Sequence, residues 1–242
     1  MPIEILDIQK NPLQFIGKCA GICWNAPTDD AEKNIARAKQ CIMDNHGRVE
    51  EFPDITIVID GYSARMCREL FTHIGGSPTR LQSSTRYVPA NDFPYYRPKS
   101  CDADDTRNIY SLGMEHTAGI YRALLDMGVP KEDAANQLPL GMMSKMVWKV
   151  NMRTLVNFFN RRLCTRALKE IRDFSIALKA ILSEVDDEWK WICDNLFVPM
   201  CEQYKYLNPQ MCFCLEKRGC GRHPHIEALN VTEKNESTPI YG

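Results

Sequence analysis

The chain has 242 residues, 44% of them hydrophobic and 25% charged, with a formal net charge of −1. That length makes one large domain or two small ones, and the apolar share allows a sizeable core. The near-neutral balance argues against a chain that holds nucleic acid by bulk electrostatics.

Residues 3–8 read as a short edge strand. Asn11-Pro12 reads as an N-cap followed by proline at the first helical position, opening a helix to about Trp24. Thr28-Asp29-Asp30 starts a second helix, with Ile35, Ala38 and Ile42 at helical spacing and Gly47 as its stop. The β-branched run 55–60, bounded by Pro53 and Gly61, predicts a strand. Ser63 caps a helix that runs through Glu69 and Phe71. Gly75-Gly76-Ser77-Pro78 must be a loop, residues 84–88 read as a second strand, and 89–105, with three prolines, reads as a long surface loop suited to a lid or a subunit contact. Helical patterns follow at about 108–128, 131–137, 140–163, 165–184 and 187–199. The fold class expected is α+β, a small, mostly antiparallel sheet with a helical C-terminal half: a single domain over 1–225 and a polar, frayed tail over 226–242.

The first ten residues, MPIEILDIQK, lack the basic flank and apolar run of a signal peptide, and no eighteen apolar residues run together, so no membrane association is expected. The 11 cysteines are scattered without framework spacing, which suits a cytoplasmic protein with free thiols.

Between Lys145 and Arg172 lie eight basic residues and one acid, a strong local excess in a nearly neutral chain. On a helix, Asn151, Leu155, Phe158 and Arg162 share one stripe. A guanidinium beside two apolar residues is expected to be largely buried and to need an anionic partner, such as a phosphate or carboxylate. Asn151 and Arg162 would stand roughly 16 Å apart, room for two anionic groups or one extended ligand. A solvated helix face is the competing reading. The segment 73–87 is dense in glycine, hydroxyls and cations, and matches neither a Walker loop nor a dinucleotide fingerprint.

Two blocks carry a family resemblance. Ser84-x-Arg86-Tyr87 resembles the end of the signature of flavin-dependent thymidylate synthases, which commonly reads Arg-His-Arg, a spacer, then Ser-x-x-x-x-Ser-x-Arg-Tyr. Leu138-Pro139 followed by Asn151-x-Arg153-x-Leu155-x-x-Phe158-x-x-x-Arg162 resembles the second hallmark at its usual spacing, and His46 and Glu51 give a weaker echo. Together they span roughly residues 40–175. The resemblance implies a homotetramer with FAD and deoxyuridine monophosphate at subunit junctions, methylenetetrahydrofolate as carbon donor and NADPH as reductant. It implies catalytic roles for Ser84 and Arg162, nucleotide contacts from Glu69, Gln82, Ser84, Arg86 and Arg162, and flavin contacts from His46, Glu51, His73, Arg80, Asn151, Arg153 and Asn157.

The chain departs from the pattern at four places. Arg-His-Arg is here Thr72-His73-Ile74, with two residues inserted before Ser84. Gln82 stands where a glutamate is usual, Glu69 aligns with a glutamine, and Ala135 replaces an arginine that reaches the nucleotide phosphate in relatives. Two alternatives therefore stay open: transfer of another one-carbon group, such as hydroxymethyl, to a pyrimidine nucleotide, or a flavin- or nucleotide-binding relative without catalysis. Near the C-terminus, Cys201, Cys212, Cys214, Cys220 and His223 offer soft ligands, with free thiols, a structural zinc (Cys201, Cys212, Cys220 and His223) or an oxidised pair all open.

Overall fold

Alternating isoleucines build the centre of the molecule, whose computed structural model describes residues 3–75 and 78–228. In β2 (Asp54–Ser63), Ile55, Ile57 and Ile59 are fully buried while Thr56 and Val58 between them are half-exposed, the period of two that a sheet with one covered face requires. In β4 (Met143–Asn151), Ser144, Met146, Trp148 and Val150 point inward and Lys145 and Lys149 outward. With β1 (Ile3–Ile8) and β3 (Thr79–Gln82) these strands form one antiparallel sheet in the order β1-β2-β4-β3. β2 carries a bulge between Asp60 and Tyr62, where Gly61 adopts φ +73°, a left-handed value that glycine takes without strain.

The helices are α1 (Pro12–Cys23), α2 (Ala31–Met43), α3 (Ala64–Leu70), α4 (Asp104–Asp126), α5 (Lys131–Ala134), α6 (Met152–Arg162), α7 (Lys169–Ser183) and α8 (Asp187–Asn195). Phe158 of α6 is the hub of the core, edge-on to Trp148, Phe159 and Phe174 at 5.5, 5.2 and 5.9 Å, while Phe159 stacks on Phe197 at 4.2 Å. Such offset and edge contacts add to simple area burial. α4 is different. Only Ala118 and Tyr121 of its 23 residues are buried, and Ile109 and Leu112 are 73% and 67% exposed.

Four expectations from the sequence are corrected. Residues 84–88 form a turn, not a strand: the Ser84 carbonyl accepts from the N–H groups of Tyr87 and Val88, and its hydroxyl accepts from Arg86 N–H. Such a local hydroxyl turn competes with strand pairing, so the strand lies earlier, at β3. The helix expected over 140–163 is a strand up to Asn151 and a helix only from Met152. Consequently the eight cations share no helix. Lys145 and Lys149 lie on β4 and pair with Asp60 at 2.8 Å and Asp54 at 2.9 Å across the sheet. Asn11 makes no side-chain cap; instead the Glu188 carboxylate accepts from the N–H groups of Leu13 and Gln14 at 2.7 and 3.0 Å. Ser63 does cap α3, accepting from Met66 N–H at 3.1 Å. Of the loop expected at 75–78, Gly76 and Ser77 lie outside the described residues, as does the tail beyond residue 228.

Candidate active site

α6 begins where β4 ends because Asn151 stays extended and its side-chain oxygen accepts from Thr154 N–H at 3.0 Å. The helix buries Leu155, Phe158 and Phe159 and leaves Arg153, Asn157 and Arg161 exposed. Arg162, at its last turn, is 17% exposed in its side chain.

The sequence placed the anionic partner of Arg162 in a ligand. The structure places one inside the protein. Arg162 pairs with the Glu69 carboxylate at 2.9 Å and donates to the Glu69 carbonyl at 3.3 Å, the Thr72 hydroxyl at 3.0 Å and His73 Nε2 at 3.0 Å. A guanidinium only donates, so Nε2 must be the bare nitrogen and Nδ1 carries the proton. Burial, then the adjacent Arg162 and Arg80 charges, push His73 down to about 4 and keep it neutral. Its ring stands edge-on to Phe158 at 5.2 Å. Beside this network opens a cleft of about 450 Å³ lined by Thr72, His73, Ile74, Thr154, Asn157, Arg161 and Arg162. Thr154 donates its hydroxyl to the Gly75 carbonyl at the cleft margin. Arg161 has no carboxylate partner among the described residues.

A second cleft adjoins the first through Asn157, which lines both, and includes Gly47, Glu50, Arg153, Tyr204 and Tyr206. Arg153 pairs with Glu51. His46 precedes the short 3-10 turn at Gly47–Glu51 and is exposed. Burial raises the Glu50 carboxyl to about 7, against the pull of Arg153.

The third cleft, about 270 Å³, lies where the C-terminal part of β2 pairs with the start of β4 and shares no residue with the first. Ser84, Asp60, Gly61, Phe93, Ser144 and Lys145 line it. Gln82 donates to the Ser144 hydroxyl at 3.0 Å, and Arg86 reaches away to Glu132 at 2.9 Å. Arg80 donates to the Leu70 carbonyl at 2.8 Å and stacks on Phe71 at 4.6 Å.

Thus the structure gathers Glu69, His73 and Arg162, brings Asn157 and Arg153, with its partner Glu51, to the neighbouring cleft, and leaves Ser84 in a separate cleft that neither Gln82 nor Arg86 lines. Glu50 escaped the sequence reading, whereas Arg161 stood in it among the eight cations and, with Arg80 and Arg166, as a replacement for the arginine missing at Ala135. Glu50 shares its cleft with Tyr206, which lies more than 150 residues away in the chain, a neighbourhood that local spacing does not reveal. Among the C-terminal soft ligands, Cys201 and His223 come together, joined by Glu202 in place of Cys212 and Cys220.

The chain is similar to known proteins over most of its length. The family model described as thymidylate synthase complementing protein matches residues 4–186. The flavin-dependent thymidylate synthase of Geobacter sulfurreducens is 31% identical over 195 residues, covering 76% of this chain and 83% of that protein. The one from Sulfurisphaera tokodaii is 36% identical over 199 residues, covering 81% and 70% respectively. The crystal structure of a flavin-dependent thymidylate synthase from Helicobacter pylori, complexed with FAD and dUMP, has a similar fold, with TM-score 0.63 at 19% identity, covering 81% of this chain and 99% of that one.

Proposed function

The chain belongs to the flavin-dependent thymidylate synthase family, and from that premise we propose that it methylates deoxyuridine monophosphate to thymidine monophosphate, with FAD as cofactor, NADPH as reductant and methylenetetrahydrofolate as carbon donor. The observation that carries this reading is α6. One helix, inside the matched residues, sets Arg153, Asn157, Arg161 and Arg162 along two adjoining clefts.

The residues present suit an anionic, ring-bearing cofactor. Arg161 is exposed beside the larger cleft with no carboxylate among the described residues to neutralise it, and a phosphate matches its planar fork. Asn157, shared by both clefts, offers an amide to a ring edge, and neutral His73 keeps an Nδ1 proton to donate. The flavin, when bound and reduced, supplies hydride chemistry that no side chain offers. Arg162 is held at a fixed height by Glu69, Thr72 and His73, so it meets a pyrimidine nucleotide without first being ordered. Ser84 and Arg86 take the nucleotide phosphate, with Arg86 releasing Glu132.

We further propose a homotetramer. Ser84 and Arg162 line separate clefts of one chain, so a complete site needs a second copy, and the exposed apolar side of α4, with Ile109 and Leu112, offers a surface for it. The scattered cysteines suit a reducing compartment, and we assign the enzyme to the cytoplasm.

The test is direct. Purified protein stripped of cofactor is titrated with FAD and assayed for deoxyuridylate-dependent NADPH oxidation, the product is weighed by mass spectrometry, and size is read by light scattering. Saturable FAD binding with a methylated product is expected. No FAD binding up to high micromolar concentration ends the enzyme reading, and a hydroxymethylated product replaces the transferred group.

A further inference from the structure

Residues 201–228 lie beyond the stretch that the family model matches, and not one of them is buried. They include no strand and only single-turn helices. A run of this length without regular structure or a core of its own has little apolar burial to hold it in one shape. Yet its backbone is cross-tied at three points. Phe213 N–H donates to the Cys201 carbonyl at 3.0 Å, Cys214 N–H to the Pro224 carbonyl at 2.7 Å, and Ile226 N–H to the Cys214 carbonyl at 3.0 Å. These ties bring two distant pieces, Cys201-Glu202 and His223, to one place.

There, a sulfur, a carboxylate oxygen and an imidazole nitrogen all lie within 4.8 Å of one another, the one such group of three among the described residues. Ligands of a tetrahedral zinc, with bonds of about 2.0–2.3 Å, stand roughly 3.3–3.6 Å apart. His223 and Glu202 already meet that spacing at 3.2 Å. All three side chains are half-buried, so they are sheltered and still reachable by an ion. Arg222 also touches Glu202, at 3.4 Å, but 44% of its side chain is exposed and it can withdraw.

We propose that Cys201, Glu202 and His223 form a zinc site that pins residues 201–228 to the body of the protein, with solvent at the fourth position. A mixed sulfur, nitrogen and oxygen set is zinc chemistry: magnesium and calcium prefer oxygen alone. Binding replaces the thiol proton of Cys201, which leaves to the buffer, while neutral His223 donates a lone pair and Glu202 a carboxylate oxygen; no oxidation or reduction is involved. The site sits against the molecule's functional half. Cys201 lines a cavity of about 350 Å³ together with Arg161, Arg162 and Arg166, and Arg166 reaches the same segment through Glu216 at 3.4 Å and the Arg218 carbonyl at 3.3 Å. Pinning the segment therefore fixes one wall of the space beside α6.

The experiment uses the full-length, untagged chain, stripped with chelator, dialysed and reloaded with Zn²⁺ or Co²⁺ alone. One zinc per chain is expected to survive dialysis, and Co²⁺ should give the thiolate charge-transfer absorption of a sulfur-ligated ion. Cys201→Ser and His223→Ala should each weaken binding by at least about 100-fold, with the cobalt band gone in Cys201→Ser, while Cys212→Ser binds like the parent. Zinc should slow tryptic cleavage at Lys217 and Arg218 in the parent and not in His223→Ala. Because neither residue belongs to the buried core, both variants should keep the parent's far-ultraviolet spectrum. Zinc at trace level only, equal loading of Cys201→Ser and parent, or a metal-free chain two hydrogens light from an oxidised cysteine pair would each overturn the site.

Discussion

Arg162 and Arg86 are held in opposite ways. Arg162 is nearly enclosed and gives its donors to Glu69, Thr72 and His73. Arg86 hangs on one ion pair with Glu132, whose two side chains are 64% and 56% exposed. The first arrangement is set before any ligand arrives, and a ligand must share the guanidinium with a carboxylate. The second contributes at most about 1 kcal/mol and is readily exchanged for a phosphate. Order and availability are thus divided between the two halves: one guanidinium is fixed in place, the other is held by a single exposed ion pair.

The sharpest way to break this contrast is Arg162→Ala. Deoxyuridylate affinity should fall more than about 100-fold, and the fold should also weaken by about 1–2 kcal/mol because Glu69 loses its cation in a half-buried position. Calorimetric titration and a thermal melt read both; an unchanged melt would mean that Glu69 is solvated well enough without its partner. Arg86→Ala should cost affinity about 10- to 100-fold, the worth of one charge-assisted contact, with the melting temperature unmoved. A large loss of stability there would erase the distinction between the halves.

Ala135→Arg sharpens it in the other direction. Ala135 follows Glu132 by three residues at the end of α5, so an arginine there can take Glu132 and free Arg86. Deoxyuridylate should bind about tenfold tighter by equilibrium titration, or roughly 1.4 kcal/mol. Arg80, engaged with Leu70 and Phe71, is not positioned as a rival for that phosphate, so Arg80→Ala should leave the gain intact.

The smallest effect is on pH dependence. His73 is depressed from 6.5 to about 4, so the unfolded chain takes up a proton that the folded chain refuses. Its contribution to stability is lost as pH falls through that window. Glu50, raised from 4.5 to about 7, stays protonated in the folded chain after the unfolded chain has ionised, and its contribution is lost as pH rises from 4.5 to 7. The two slopes oppose each other. Glu50→Gln should therefore steepen the loss of stability on acidification between pH 6.5 and 4.5, read as urea midpoints. An unaltered slope would show that Glu50 reaches solvent.

The sequence was most legible where one period dominated. The isoleucines of β2, the helix start at Thr28-Asp29-Asp30, the Ser63 cap and the apolar spacing of α2 stand in the structure as read, because each is decided by neighbours within a turn or a strand length. β4 misled because Met146, Trp148 and Val150 alternate immediately before a helical pattern that absorbs them; only pairing with β2, some ninety residues earlier, selects the strand. Glu69, His73 and Arg162, which the structure joins, were each named from the motifs, but their pairing was not. That Glu69 would claim Arg162, or that Glu202 would stand beside His223, follows from packing between segments far apart in the chain, on which local spacing is silent.

The strand order has one more consequence, for the timing of folding. Both β2 and β3 lean on β4, which is translated only after residue 142. Until then the growing polypeptide carries β2 with one bare edge and its row of isoleucines without the β4, α6 and α7 side chains that complete their core, and β3 has no mate at all. Contacts that close so late make for slow assembly, and an open hydrophobic edge is a template for joining another copy. A fragment ending at residue 142 should therefore sediment as aggregate, whereas extending it through α6 should return it to the supernatant, and a ribosome paused before Met143 should hold a chain that chaperones still recognise.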